Sequence, residues 1–130
     1  MVDNEFGNIL ITKFNNSGQI VWNETVIKEQ RTSDTKGYKS SFSVTISDDF
    51  IYLLHNDMNN EESDKYDDYQ TKITTLDVKT GEQSSKFLIH DFQFKYRSAP
   101  RNSCNGVDSQ YLYFSLQHKK KGYLSRTKLN

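Results

Sequence analysis

The sequence predicts an all-β domain made of antiparallel four-stranded units that repeat along the chain. A Thr-containing phrase occurs at residues 11–18, 73–81 and 127–130, and its first two copies run from a strand pattern into a turn that ends at glycine. A second phrase occurs twice, since residues 46–53 and 107–114 match without gaps. Two phrases that recur in the same order, tens of residues apart, are typical of repeat architectures.

Composition is consistent with one domain of this kind over residues 1–130. The 17 basic and 17 acidic residues balance, so no overall field attracts nucleic acid or an anionic membrane, and neither is an expected partner. Aromatic residues make up 13% of the chain, which is too much for a disordered one. The apolar fraction of 34% is low and suits strands that bury one face only.

The first unit covers approximately residues 1–30. Strand patterns at residues 8–14 and 19–28 flank a turn at residues 15–18, which predicts a hairpin. We expect Ile20, Trp22 and Thr25 on one face of the second strand and Val21 on the other. Residues 29–39 are polar with little to pack, which predicts a loop.

The second unit covers approximately residues 40–93. Phe42, Val44 and Ile46 alternate with polar residues, and residues 50–54 form a continuous apolar run that is typical of an inner strand. Residues 56–69 are charged and resemble an insertion. Strands at 71–77 and 85–92 then pair across a turn that ends at Gly81.

The third unit covers approximately residues 103–130 and follows a long connection at residues 93–105. It repeats the order of the second: a short strand at 105–108, a turn at 109–110, and strands at 111–117 and 123–130. No amphipathic helix of credible length is predicted anywhere in the chain.

The hairpin phrases resemble the repeats of β-propellers, in particular the quinoprotein-like and bacterial repeat-propeller kind. In both, apolar positions precede an Asn or Asp and then a Gly, as in Phe14-Asn15-Asn16-Ser17-Gly18 and Leu76-Asp77-Val78-Lys79-Thr80-Gly81. The resemblance implies a partial propeller of about two to three blades, whereas complete propellers have four or more. Three interpretations stay open: the C-terminal part of a longer propeller, which we favour, a subunit that completes a ring by self-association, or a small two-sheet sandwich.

A binding site is predicted at residues 94–101, which contain both aromatic and cationic residues. Such mixtures are common at contacts with partners, and Tyr96, Arg97 and Arg101 are the candidates. A protein or carbohydrate ligand is the expected partner. The simpler interpretation is that the two arginines pair with the acidic residues of the insertion, which is a weak surface contact.

A calcium site is the weaker prediction for the insertion. Asp57, Asn59 and Glu61 supply oxygen ligands at alternating positions, as a hard cation requires. An EF-hand loop, however, needs glycine at the position that Glu62 occupies and a final glutamate where Asp68 stands. We therefore favour a solvated loop, and no other cofactor is expected.

Catalytic chemistry has no sequence signature here. The chain contains no Gly-x-Ser-x-Gly, His-Glu-x-x-His or phosphate-binding glycine loop, and the single Cys104 is interpreted as a spectator thiol. His55, His90 and His118 lack partners that the sequence alone could identify. No catalytic residue is predicted.

The expected function is therefore a non-catalytic scaffold or binding module that presents a loop-rich face to a protein, glycan or small ligand. The alternative is a fragment of a propeller enzyme (a hydrolase, lyase or cofactor-dependent dehydrogenase) whose site is completed by further blades. The start of the chain does not predict a signal peptide, no run has membrane-spanning length, and the compartment is not predicted.

Overall fold

The computed structural model describes residues 4–32, 42–58, 69–88, 97–98, 104–105, 110–118 and 121–129. These residues form strands and turns without any helix, so the predicted all-β class with antiparallel pairing is confirmed. None of them forms a helix of the length and apolarity that a membrane span requires. The strands are β1 (Asn4–Phe6), β2 (Ile9–Phe14), β3 (Ile20–Val26), β4 (Gln30–Thr32), β5 (Phe42–Ile46), β6 (Phe50–Met58), β7 (Tyr69–Asp77), β8 (Gln83–Phe87), β9 (Arg97–Ser98), β10 (Cys104–Asn105), β11 (Tyr111–His118) and β12 (Lys121–Lys128).

Strands β2 and β3 form the predicted hairpin, which we call the first hairpin. Its turn is closed by the side chain of Asn15, whose Oδ1 accepts hydrogen bonds from the backbone N–H groups of Ser17 and Gln19, both at 2.9 Å. Gly18 ends the turn with a φ of 78°, a left-handed conformation that glycine adopts at little cost. The sequence phrase thus fixes this turn through local chemistry.

The turn between β7 and β8 uses the same chemistry. Asp77 Oδ1 accepts hydrogen bonds from the N–H groups of Lys79 at 2.7 Å and Thr80 at 2.9 Å, and Gly81 has a φ of 77°. These hydrogen bonds, which favour the ionised carboxylate, lower the pKa of Asp77. The second copy of the phrase therefore produces the same kind of turn as the first.

The central sheet contains β5, β6, β7 and β8 side by side in chain order, each antiparallel to its neighbours. This is the four-stranded unit predicted over residues 40–93. Its inner strands are longer than predicted, because β6 continues to Met58 and β7 begins at Tyr69. The prediction that residues 56–69 are all insertion is therefore wrong at both ends, and residues 59–68 lie outside the described part of the chain.

The end sheet contains β10, β11 and β12 in that order, and β9 also pairs with β11. The long strands β11 and β12 match the prediction for the third unit. β9 falls in the predicted connection, and β4, which pairs with β1, falls in the stretch predicted as a loop. A strand of two or three residues forms through pairing with a partner strand, and so short a segment shows no alternation of its own in the sequence.

Another sheet packs on each face of the central sheet. Alternation along β6 directs Leu53 to one face, which we call the first face, and Leu54 to the opposite, second face. The first face packs on the first hairpin in one buried cluster, formed by Ile9, Val26, Leu53 and Leu76. The second face packs on the end sheet in another, formed by Tyr52, Leu54, Ile73, Leu112, Phe114, Leu116 and Leu129. The three sheets therefore stack as layers with the central sheet in the middle.

Trp22 fastens the first hairpin to the turn between β7 and β8. Its indole Nε1 donates a hydrogen bond to the carbonyl oxygen of Val78 at 3.0 Å, and Lys13 Nζ donates to the same oxygen at 2.7 Å. A Cβ atom placed on Gly81 would lie 3.0 Å from the indole Cδ2 atom. The absence of a side chain at Gly81 is what lets the indole approach so closely.

A bulge in the first hairpin overturns one prediction about its faces. The register shifts between Lys13 and Phe14, so Trp22 pairs with Lys13 whereas Ile20 pairs with Phe14. Trp22 therefore faces the central sheet, and Ile20 lies on the outward face, 62% exposed. Thr25 pairs with the exposed Leu10 and also faces outward. The predicted grouping of Ile20, Trp22 and Thr25 on one face is wrong.

The alternating residues of β5 lie on the first face of the central sheet, as their register with β6 requires. Phe42, Val44 and Ile46 are nevertheless exposed, because the first hairpin has two strands and covers the inner part of a four-stranded sheet. Alternation correctly predicts which residues share a face. Whether another sheet covers that face depends on the neighbouring layer.

Candidate functional site: a buried charged cluster at the loop end of the central sheet

Polar side chains are buried where β6 ends and β7 begins. His55, Asn56 and Asp57 continue the apolar run of β6 and are 0%, 0% and 5% exposed. Thr71 and Thr74 of β7 are buried beside them, and so is Lys28, which follows β3. We call this end of the stack the loop end, because residues 59–68 connect β6 to β7 here.

Asp57 is the centre of the cluster. Its Oδ2 lies 3.1 Å from Lys72 Nζ in a largely buried salt bridge, and its Oδ1 accepts a hydrogen bond from the backbone N–H of Glu29 at 2.9 Å. One carboxylate thus joins β6, β7 and the segment after the first hairpin. Removing one partner of such a buried pair is costly, since it leaves an uncompensated charge.

Lys28 brings a second cation to the same carboxylate. Burial lowers the pKa of Lys28 to about 8, and the negative charge of Asp57 acts in the opposite direction. Loss of hydration disfavours the ammonium form, which is why the downward effect is the larger one. The cluster is therefore held together by charge compensation around Asp57.

His55 lies next to this charged group and begins a chain of hydrogen bonds. Its Nε2 is 3.0 Å from Thr74 Oγ1, which in turn lies 2.7 Å from Ser85 Oγ, while Nδ1 finds no hydrogen-bond partner among the described residues. Burial lowers the pKa of His55 to about 4; of the nearby charges, Asp57 raises it and Lys72 and Lys28 lower it. His55 is thus a neutral imidazole near neutral pH.

The chemistry that this arrangement can support is limited. A histidine with a pKa near 4 is a poor base at neutral pH, and its ring is fully buried. Among the described residues no group of three or more His, Cys, Asp or Glu side chains could hold a metal ion. What the cluster does supply is a connection between three chain segments at the end of the central sheet.

The predicted calcium ligands are divided by the structure. Asp57 lies in β6 rather than in a loop, and its carboxylate is already bonded to Lys72 and to the N–H of Glu29. Asn59 and Glu61 lie outside the described residues. The calcium site therefore stays a prediction that now concerns residues beyond the end of β6.

Of the predicted binding residues, Arg97 is placed by its backbone, whereas Tyr96 and Arg101 lie outside the described residues. Arg97 pairs with Gln117 near the end of β11, and β9 also contacts β6 and β7. Since β11 and β6 both end on this side of the stack, the backbone of Arg97 lies at the loop end. Its role in binding stays a prediction.

Sequence reasoning missed Lys28 and Thr74, and it named His55 without its partners. The available signal was the run from residue 50 to 57, in which polar residues continue an inner strand without a turn residue. A polar residue that keeps the register of a buried strand is a candidate for a buried cluster. Lys28 gives no such signal, because its burial depends on the layer it packs against.

A cleft of about 250 Å³ lies elsewhere, between the central sheet and the end sheet. At the first interface the bulky Trp22 and Lys13 pair with each other, whereas the matching pair in the central sheet is Ser84 and Thr75. The smaller side chains leave space next to Leu129. Apolar, hydroxyl and ammonium groups line it: Tyr52, Ile73, Thr75, Ser84, Ser85, Lys86, Lys128 and Leu129.

No family model, curated protein or solved structure matches this chain.

Proposed function

We propose that this chain is a non-catalytic scaffold or binding module of the β-propeller type, which binds a protein or carbohydrate at its loop end. The observation that carries the proposal is the burial of both faces of the central sheet by other antiparallel sheets. Lateral stacking of such sheets is how propellers protect their strands. The layers are the part of the chain that serves as the scaffold.

Matching positions of the repeated phrases support this reading of the stack. Leu76 and Leu129 occupy the same position in two copies of the first phrase, and each is buried against the sheet that precedes its own. Leu53 and Phe114 match in the second phrase and also face the preceding sheet. Equivalent residues with equivalent neighbours are what a repeat of stacked units requires.

The loop end is the favoured binding surface, because function tends to reside in loops on a rigid support. The compensated cluster around Asp57 joins three chain segments at that end of the sheet. Arg97 lies beside it, and with Tyr96 and Arg101 it would offer aromatic and cationic contacts. Side chains of these kinds favour polar ligands such as acidic protein segments or sugars.

The enzyme alternative has one arrangement in its favour. The chain of hydrogen bonds from His55 through Thr74 ends at the exposed Ser85 hydroxyl. The low pKa of His55 weighs against a role as a general base, and so does the lack of a partner for Nδ1 within the described part of the chain. We therefore keep catalysis as the second candidate.

Binding arrays with an internal control test the proposal. Purified protein is applied to glycan and acidic-peptide arrays beside the double variant Arg97→Ala/Arg101→Ala. The control, Lys79→Ala/Lys86→Ala, removes the same number of positive charges at exposed positions outside residues 94–101. We expect the first variant to bind about tenfold or more weakly and the control to bind as the wild type does.

Two results would contradict the proposal: no specific binding to either array, or equal weakening by the control. Chromogenic ester and glycoside substrates are assayed in parallel. Turnover that His55→Leu abolishes in a folded protein would favour the enzyme instead.

A further inference from the structure

The outward face of the first hairpin is apolar and exposed. Leu10, Phe14 and Ile20 are each more than half exposed, and Ile27, just after β3, is 72% exposed. Single exposed apolar residues are ordinary, but several on one sheet face are typical of an interaction surface. We call this group the hairpin face.

The end sheet also has an outward face, because Leu112, Phe114 and Leu116 point inward and their neighbours point outward. Tyr111 and Tyr113 lie there half-buried, and Leu124 of β12 is 79% exposed. The guanidinium carbon of Arg126 lies 4.7 Å from the centre of the Tyr111 ring. We call this group the end face.

The internal interfaces show what each of these faces fits. At both interfaces, the second face of a sheet is the one that points toward the next sheet along the chain. It contacts the first face of that next sheet. Phe14 matches Leu76 and Leu129, which are buried against a preceding sheet. The hairpin face is therefore a first face, the kind that a preceding sheet covers. Tyr113 matches Tyr52, which is buried against a following sheet. The end face is therefore a second face, the kind that a following sheet covers.

We propose that the end face of one copy of this chain binds the hairpin face of another, continuing the stack head to tail. This proposal rests on the stacked-unit scaffold proposed above and assigns its partner as a second copy. The interface repeats the internal ones in joining a second face to a first face. Thr12 and Asn23 form a hydrogen-bonded pair between the apolar residues of the hairpin face, and Arg126 supplies a polar group on the end face. Such a contact joins two different surfaces, so it builds rings or filaments rather than symmetric dimers.

Light scattering coupled to size exclusion, over a range of protein concentrations, tests this interface. Leu10→Asp introduces a charge on the hairpin face, and Leu124→Asp does so on the end face. Both positions are exposed, so both variants should keep the wild-type circular dichroism. We expect the mass of the wild type to rise with concentration and each variant to associate about tenfold or more weakly.

Mixing the two variants is the decisive step. Each retains one intact face, and those two faces are complementary, so the mixture should form a species of two chains that grows no further. Ile46→Asp is the matched control, because Ile46 is 68% exposed but belongs to neither face, and it should associate as the wild type does.

The proposal is overturned by a wild type that keeps the mass of one chain at every concentration. It is also overturned if Ile46→Asp weakens association equally, or if mixing restores nothing, which would indicate another interface. The array experiment is independent of these outcomes. If the protein is folded and monomeric but binds its ligand, only the proposed interface is contradicted. If the protein self-associates but binds neither array, only the proposed binding role is contradicted.

Discussion

Two hairpins of this molecule carry the same sequence phrase and have different surroundings. In the hairpin of β7 and β8, Leu76 is completely buried against the layer before it. In the first hairpin, the matching Phe14 is 57% exposed, although the turn beside it is built in the same way. The phrase therefore fixes the strand, the turn and the direction of each side chain, and the neighbouring layer decides the burial.

The comparison predicts unequal costs for the same kind of truncation, and this is the largest effect we expect. Leu76→Ala should lower the free energy of unfolding by about 3 kcal/mol, because it leaves a cavity in a closed cluster. Phe14→Ala should cost less than about 1 kcal/mol, since more than half of the side chain is already hydrated. Urea titrations of both variants at low protein concentration measure the difference.

Low concentration matters in that measurement because association through the hairpin face would stabilise the wild type by mass action. A second titration at high concentration should then raise the cost of Phe14→Ala and leave that of Leu76→Ala unchanged. Equal costs at low concentration would mean that the two hairpins are equally covered, and the comparison would fail.

The interior of the central sheet can also be probed by pH. The pKa of His55 is about 4 in the folded state and about 6.5 in an unfolded chain. Between these values the unfolded state binds more protons, so the free energy of unfolding is highest above pH 6.5 and falls as the pH drops toward 4. The full shift corresponds to about 3 kcal/mol.

His55→Leu is the control variant, because Leu116 stands at the matching position of the end sheet and is buried there. In this variant Thr74 keeps its hydrogen bond to Ser85. Its unfolding free energy should vary less with pH between 6.5 and 4 than that of the wild type. Parallel curves over that range would show that the imidazole is hydrated in the folded state.

What the sequence could predict divides in the same way, between local backbone structure and contacts with distant parts of the chain. Turns and long strands could be predicted, because residues such as Asn15, Gly18 and Gly81 act on their own backbone. Strands β4 and β9 could not, since each depends on a partner far along the chain. The candidate site shows the same limit: Asp57 was chosen for its carboxylate, and its salt bridge to Lys72 comes from the strand pairing of β6 with β7.

The two glycines of the turns give the smallest and most local test of the comparison. Gly18 and Gly81 have nearly the same positive φ, so alanine should cost about 1 kcal/mol at either position through backbone strain. Gly18 has no atom within 4 Å of an added Cβ, whereas at Gly81 the ring of Trp22 lies at 3.0 Å. Gly81→Ala should therefore cost about 1 kcal/mol more than Gly18→Ala, because the indole must move from its place.

A double-mutant cycle isolates that additional cost. In a Trp22→Val background the indole contact is gone, and the flexible Glu24 side chain, whose Cγ lies 3.1 Å from the added Cβ, can move aside. Gly81→Ala should then cost about as much as Gly18→Ala does. Thermal or urea unfolding of the four proteins in the cycle provides the values. If the additional cost persists without the indole, it arises within the turn itself, and the packing of Trp22 over Gly81 would not be what distinguishes the covered hairpin from the exposed one.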